Sequence, residues 1–103
     1  MDKEPLDRIG RLGLTVGSAT CLEGAIMGKR LFRVEAGNCC DHALAQASVL
    51  MDSARRASFI GVMDNEPALV WASYFLGEMA KALMDDAHMG INKKLLAACA
   101  KPA

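Results

Sequence analysis

The strongest constraint in this chain is the break Asp64-Asn65-Glu66-Pro67, set in the middle of an otherwise unbroken helical pattern. Polar turn-formers followed by a proline close one helix and open the next. Proline's fixed φ suits the first helical position, where its missing N–H costs nothing. After the break, Leu69, Ala72, Leu76, Met79 and Leu83 recur at steps of three and four, an apolar stripe on one helix face. Before it, Ala43, Leu44, Ala47, Leu50, Met51, Ala54, Ala57 and Ser58 form a second stripe of mostly small side chains. Small residues let a second helix come close, so residues 39–89 are expected to fold as an antiparallel helical hairpin.

The rest of the chain is arranged around that hairpin. Residues 1–28 hold several glycines, and the helical signal of Leu6, Ile9 and Leu12 is weakened by Gly10, Gly13 and Gly17, which predicts a loop-rich N-terminal region. Residues 29–36 contain Leu31-Phe32-Arg33-Val34, a short strand stopped at Ala36-Gly37-Asn38. Its partner is either the N-terminal region or the same strand of a second subunit, because a lone strand leaves its backbone groups unpaired. Asn38 or a neighbour is expected to cap the first helix, with Asp41 favourable in its first turn. The second helix is expected to close at Gly90, and residues 91–101 to form a short C-terminal helix ended by Pro102. The expected fold is mainly α, one domain of 103 residues, a long hairpin preceded by one short strand and paired into a dimeric bundle.

Composition excludes several functions. The 12 basic and 12 acidic side chains cancel, so no global field draws the chain to nucleic acid or an anionic membrane. No apolar run has signal-peptide or transmembrane character, and the four cysteines lack a Cys-x-x-Cys spacing, which predicts a cytoplasmic protein with reduced thiols. Gly24-Ala25-Ile26-Met27-Gly28-Lys29 falls one residue short of a phosphate-binding loop and leads to a strand instead of a helix. The hairpin would bring Cys39, Cys40, Asp41 and His42 near Asp85, Asp86 and His88, but no ligand pair spaced four apart supports a metal. Asp85-Asp86 is expected to be a solvated charged face. No nucleophile elbow or acid–base pair is present, so no enzyme, cofactor or metal is expected.

The second helix carries more apolar surface than a hairpin uses. Trp71, Tyr74 and Phe75, with Ala68, Ala82 and Glu78, form a face about 100° from the Leu69–Leu83 stripe. Either the N-terminal third folds over them as core, or they anchor a second subunit or a protein partner. Phe59, Ile60, Val62 and Met63 at the hairpin tip make another apolar cluster, which places Phe59, Ile60 and Met63 among the candidate partner-binding residues. The order strand, helix, helix also matches ribbon-helix-helix repressors, with Lys29, Arg30 and Arg33 as the basic residues. Long helices, Glu35 beside Arg33 and zero net charge speak against that alternative.

The run Leu31-Phe32-Arg33-Val34, then Gly37, Ala43-Leu44-x-x-Ala47-Ser48-x-Leu50 and Glu78-Met79-Ala80-Lys81-Ala82-Leu83 resembles a small proteobacterial family of uncharacterised helical proteins. It is also similar to quorum-sensing anti-activators of the QslA type, which bind a LuxR-type transcriptional regulator and stop it dimerising. That resemblance implies a helical homodimer that inhibits a regulator by occupying a protein surface, without touching nucleic acid itself.

Overall fold

The computed structural model describes residues 12–100. In chain order these form strand β1 (Thr20–Glu23), strand β2 (Arg30–Arg33), helix α1 (Cys40–Met63) and helix α2 (Pro67–Ala100). The helical signal at Leu6 and Ile9 and the stop at Pro102 lie outside the described residues.

The two helices form the expected antiparallel hairpin. Asp64 and Glu66 N–H groups return to the carbonyls of Ile60 and Gly61 at 2.8 Å, and Asn65 takes the left-handed φ of 53° that asparagine tolerates. The Glu66 carbonyl then accepts from Leu69 and Val70, and Pro67 stands at the first helical position. The buried positions of α1 are Cys40, Ala43, Ala47, Ala54 and Gly61, so its contact face is made of small side chains throughout. Gly61 is required there, because a Cβ would lie 2.8 Å from Val70 Cγ2 and 3.0 Å from its nitrogen.

On α2 the contact seam differs in detail from the expected stripe. Leu69, Leu76 and Leu83 are half-buried on it, but Ala80 and Ala87 are its fully buried members, while Met79 is 39% exposed and Ala72 only half-buried. A seam spaced for alanines admits the small side chain and turns the neighbouring methionine outward.

Two further expectations are corrected. Not one strand but two precede the hairpin: β1 pairs antiparallel with β2 in the register Thr20↔Arg33, Cys21↔Phe32 and Glu23↔Arg30. The strand therefore finds its partner in the N-terminal region, and it spans Arg30–Arg33 instead of reaching residue 36. Gly90 does not end the second helix, and residues 91–100 continue α2 instead of forming a separate element. The physical reason is a close crossing: a Cβ on Gly90 would overlap the Leu14 carbonyl and sit 2.8 Å from Cys40 Sγ. The start of α1 falls where expected, at the neighbour of Asn38. Cys39 occupies the N-cap without a side-chain bond, and the first helical N–H, that of Cys40, donates to the Gly13 carbonyl at 2.9 Å.

The molecule is elongated, 59 × 35 × 24 Å, with a radius of gyration of 16.9 Å against about 13 Å for a compact domain of 100 residues. Among the described residues the buried hydrophobic side chains are Cys21, Cys40 and alanines; every Leu, Ile, Val, Met, Phe, Tyr and Trp keeps some exposure. One chain thus forms a scaffold with a narrow core and wide apolar faces.

Candidate functional site

The scaffold is locked by a carboxylate. Asp86, on α2, is fully buried and accepts four consecutive backbone N–H bonds. Val16 (2.6 Å) and Gly17 (3.0 Å) donate to Oδ1, and Ser18 (2.7 Å) and Ala19 (2.7 Å) donate to Oδ2. Burial alone would push this carboxyl up, but the four donors outweigh it and hold Asp86 below the ordinary carboxylate range. Asp85-Asp86 is therefore not a paired solvated face. Asp85 is exposed and bonded to Lys81 at 2.8 Å, whereas Asp86 fastens the loop between Val16 and Ala19 to the helix.

Thr15 extends the clasp to the start of α1. Its hydroxyl donates to the Glu35 carbonyl (2.7 Å) and accepts from the Asn38 N–H (3.0 Å), while its own N–H donates to the Asn38 carbonyl (2.7 Å). The sequence did hold a signal for Asp86: one turn beyond Ala82 and next to Ala87, it is a carboxylate on an apolar helix face. The four donors that satisfy it come from about seventy residues away in sequence, where no local pattern announces them.

Of the thiols and carboxylates expected at this end of the hairpin, Cys40 and Asp86 are used structurally. Cys40 is buried with Sγ 3.4 Å from the Ala87 carbonyl, and burial first, then the neighbouring Cys39, Asp41 and Asp86, push its thiol up. Cys21 is raised by burial and by Glu78, with Arg30 opposing. Neither has the electropositive setting of a nucleophile. Among the described residues no three His, Cys, Asp or Glu side chains converge as metal ligands. The Gly24–Lys29 segment is the loop of the β-ribbon, closed by Gly24 N–H to Lys29 C=O at 2.8 Å.

The candidate binding face is aromatic. Trp71 and Phe75 stack with centroids 5.8 Å apart and planes at 29°. Tyr74 meets both edge-on at 6.2 and 5.7 Å. The three rings form one cluster, yet Trp71 is 61%, Tyr74 54% and Phe75 42% exposed. The β-ribbon approaches their edge, where Leu22, Glu23 and Leu31 share a cleft with Tyr74 and Phe75, but it does not cover them. Glu78 lies one turn further along, half-buried near Cys21. At the tip, Phe59, Ile60, Val62 and Met63 are exposed, and an open groove of about 400 Å³ runs between Val62, Val70 and Trp71. The structure thus joins the aromatic cluster to the tip through Trp71, while Phe59, Ile60 and Met63 do not line that groove.

No helix among the described residues is long and apolar enough to cross a membrane.

These features define a helical hairpin clasped by a small β-ribbon. The chain belongs to the family described as Protein of unknown function (DUF3077), whose model it matches over residues 17–90. That span holds both strands, all of α1 and most of α2, including Asp86 and three of its four donors. No match was found among curated proteins or among solved structures.

Proposed function

We propose that this protein is a non-enzymatic, cytoplasmic binding module that inhibits a partner protein by occupying its surface. Its concrete form is an anti-activator that binds a LuxR-type transcriptional regulator and blocks its dimerisation or DNA binding. The observation that carries the reading is the exposed Trp71–Tyr74–Phe75 cluster on a rigid helix, since large aromatic anchors of this kind dominate protein interfaces. An inhibitor of dimerisation must imitate the subunit that it displaces, and an apolar helix face is the element best suited to that. The class of partner is the one that a resemblance to QslA-type anti-activators would imply, and it is part of the proposal.

The alternative, a ribbon-helix-helix-like DNA-binding regulator, has weaker support. In that fold the strand pairs with a second subunit, whereas here β1 takes one edge of β2. Arg30 is engaged by Glu23 at 2.9 Å and Arg33 points a guanidinium nitrogen at the Gly17 carbonyl. A third possibility, a purely structural dimerisation module, would bind no regulator at all.

A gel-shift assay separates them. The protein alone is expected to shift no operator DNA at physiological salt, and to release a LuxR-type regulator from its operator when added. Phe75→Ala should weaken that release about thirtyfold, the loss of a central anchor worth ~2 kcal/mol, while helical circular dichroism is kept. A specific shift by the protein alone would establish the DNA-binding reading instead. Unfolding on Phe75→Ala would assign the rings to the core.

A further inference from the structure

We infer that a second copy of this chain docks on the face of the helical hairpin opposite the β-ribbon, crossing it at Gly77. The ribbon side is marked by Leu50, Met79 and Ala82, which line a cleft with Cys21, Phe32 and Val34. Gly77 lies two residues before Met79, about 200° around the helix, and so faces away from the ribbon. With it, at seven-residue spacing, run Val70, Met84 and Ile91 on α2, and Leu44 and Met51 on α1. Leu44 and Ile91 at one end of the stripe pack partly against Cys40, Ala43 and Ala87, but Val70, Met51 and Met84 are 43%, 46% and 38% exposed, so the rest of it is left largely uncovered by the single chain.

Gly77 is the informative member. It sits inside α2 with a helical φ, and a Cβ built on it meets nothing within 4 Å. Gly61 and Gly90 are each explained by a close intramolecular approach, and Gly77 is not. A helix-interior glycine weakens a helix relative to alanine, so an approach from outside the chain is the natural reason for it.

The occupant is a second copy for three reasons. First, the face needs constant cover, because no large hydrophobic side chain among the described residues is buried within one chain. Second, stripes repeating every seven residues on both helices are self-complementary under a two-fold rotation, which lays one hairpin on another as a four-helix bundle. A face about 30 Å long and about 20 Å wide presents on the order of 600 Å² per copy, and the total of roughly 1,200 Å² reaches the range of stable interfaces. Third, the charges near it are largely compensated within each helix, Lys81 by Asp85 at 2.8 Å and Arg55 by Asp52 at 2.9 Å, with Arg56 also on Asp52 at 3.4 Å, which keeps the repulsion between two copies small.

Sedimentation equilibrium on the full chain tests this directly. The wild type should be a dimer at micromolar concentration, and Met84→Glu and Met51→Glu should each raise its dissociation constant more than about tenfold, as truncation of an interface anchor does. Gly77→Ala gives a test of sign. With a second copy crossing there, the added methyl weakens the dimer and lowers its melting temperature. With the face free, alanine raises the folded-to-unfolded ratio about fourfold through helix propensity alone. A wild type that stays monomeric, or a Gly77→Ala variant that melts higher with unchanged association, overturns the inference. Loss of the dimer on Phe75→Ala with Met84→Glu silent would place the second copy on the aromatic face and overturn it too. The gel-shift readout is independent of all of these outcomes, so regulator binding can fail while the dimer stands.

Discussion

Replacing Asp86 with asparagine is expected to destabilise the protein by about 3–5 kcal/mol, although the side chain barely changes shape. The carboxylate presents two oxygens, each accepting two backbone N–H bonds. An amide has only one. In either flip its NH₂ faces a pair of donors, Val16 and Gly17 or Ser18 and Ala19, which lose their acceptor and meet another donor instead. Each buried N–H left unpaired costs about 1–3 kcal/mol. Urea unfolding followed by circular dichroism should show the loss, and Asp85→Asn, which removes only a surface pair with Lys81, should stay within about 0.5 kcal/mol of wild type. Equal effects at the two positions would mean that the clasp contributes nothing.

The same clasp sets the response to acid. Because the folded state holds Asp86 below the unfolded carboxyl value of about 3.9, its ionisation stabilises the fold. That contribution is fully present above the unfolded pKa and is lost as pH falls through the folded one. Wild type should therefore lose stability in acid more steeply than Asp86→Asn, which has no carboxyl to protonate. Parallel stability–pH curves for the two would rule out Asp86 as a source of acid lability. Asp52 is also held low, chiefly by its bond to Arg55, but it is shared by both proteins and cancels from the difference.

The hairpin was legible in the sequence because its signals are local. A polar turn closed by Pro67 acts within four residues, and a helix stripe repeats within one turn. The detail of the seam was less legible: a stripe chosen by hydrophobicity selects Met79, while a seam narrow enough for Ala43 and Ala47 buries Ala80. The first strand had no local signal. Thr-Cys-Leu-Glu alternates poorly, and Leu22 even takes a left-handed φ of 66°; β1 is imposed by its pairing with β2 and by the loop tied to Asp86. The aromatic cluster could be found from composition alone, but whether it was core depended on where residues 12–33 fold, which only the long-range contacts decide.

Gly90 shows how a correct local rule can give the wrong reason, and its replacement has the second large effect. A glycine late in an apolar helical pattern signals a helix end, yet α2 passes through Gly90 to Ala100 without a positive φ. In an open helix, Gly90→Ala would stabilise by about 1 kcal/mol. Here the new methyl would overlap the Leu14 carbonyl oxygen, lie 2.9 Å from its carbon and 2.8 Å from the buried Cys40 sulfur. Neither group can yield easily. The Leu14 backbone is bridged to Cys39, and Gly13, at a φ of 111°, has its own missing Cβ position 2.7 Å from the Gly90 carbonyl oxygen. Moving that segment also withdraws the Gly13 carbonyl from the first N–H of α1. Overpacking typically costs 1–3 kcal/mol and a buried backbone group without its partner about as much again. Gly90→Ala is therefore expected to destabilise by about 2–4 kcal/mol net of the helix gain, read as a lower urea midpoint. A variant as stable as wild type, or more so, would show that the loop does not cross the helix there.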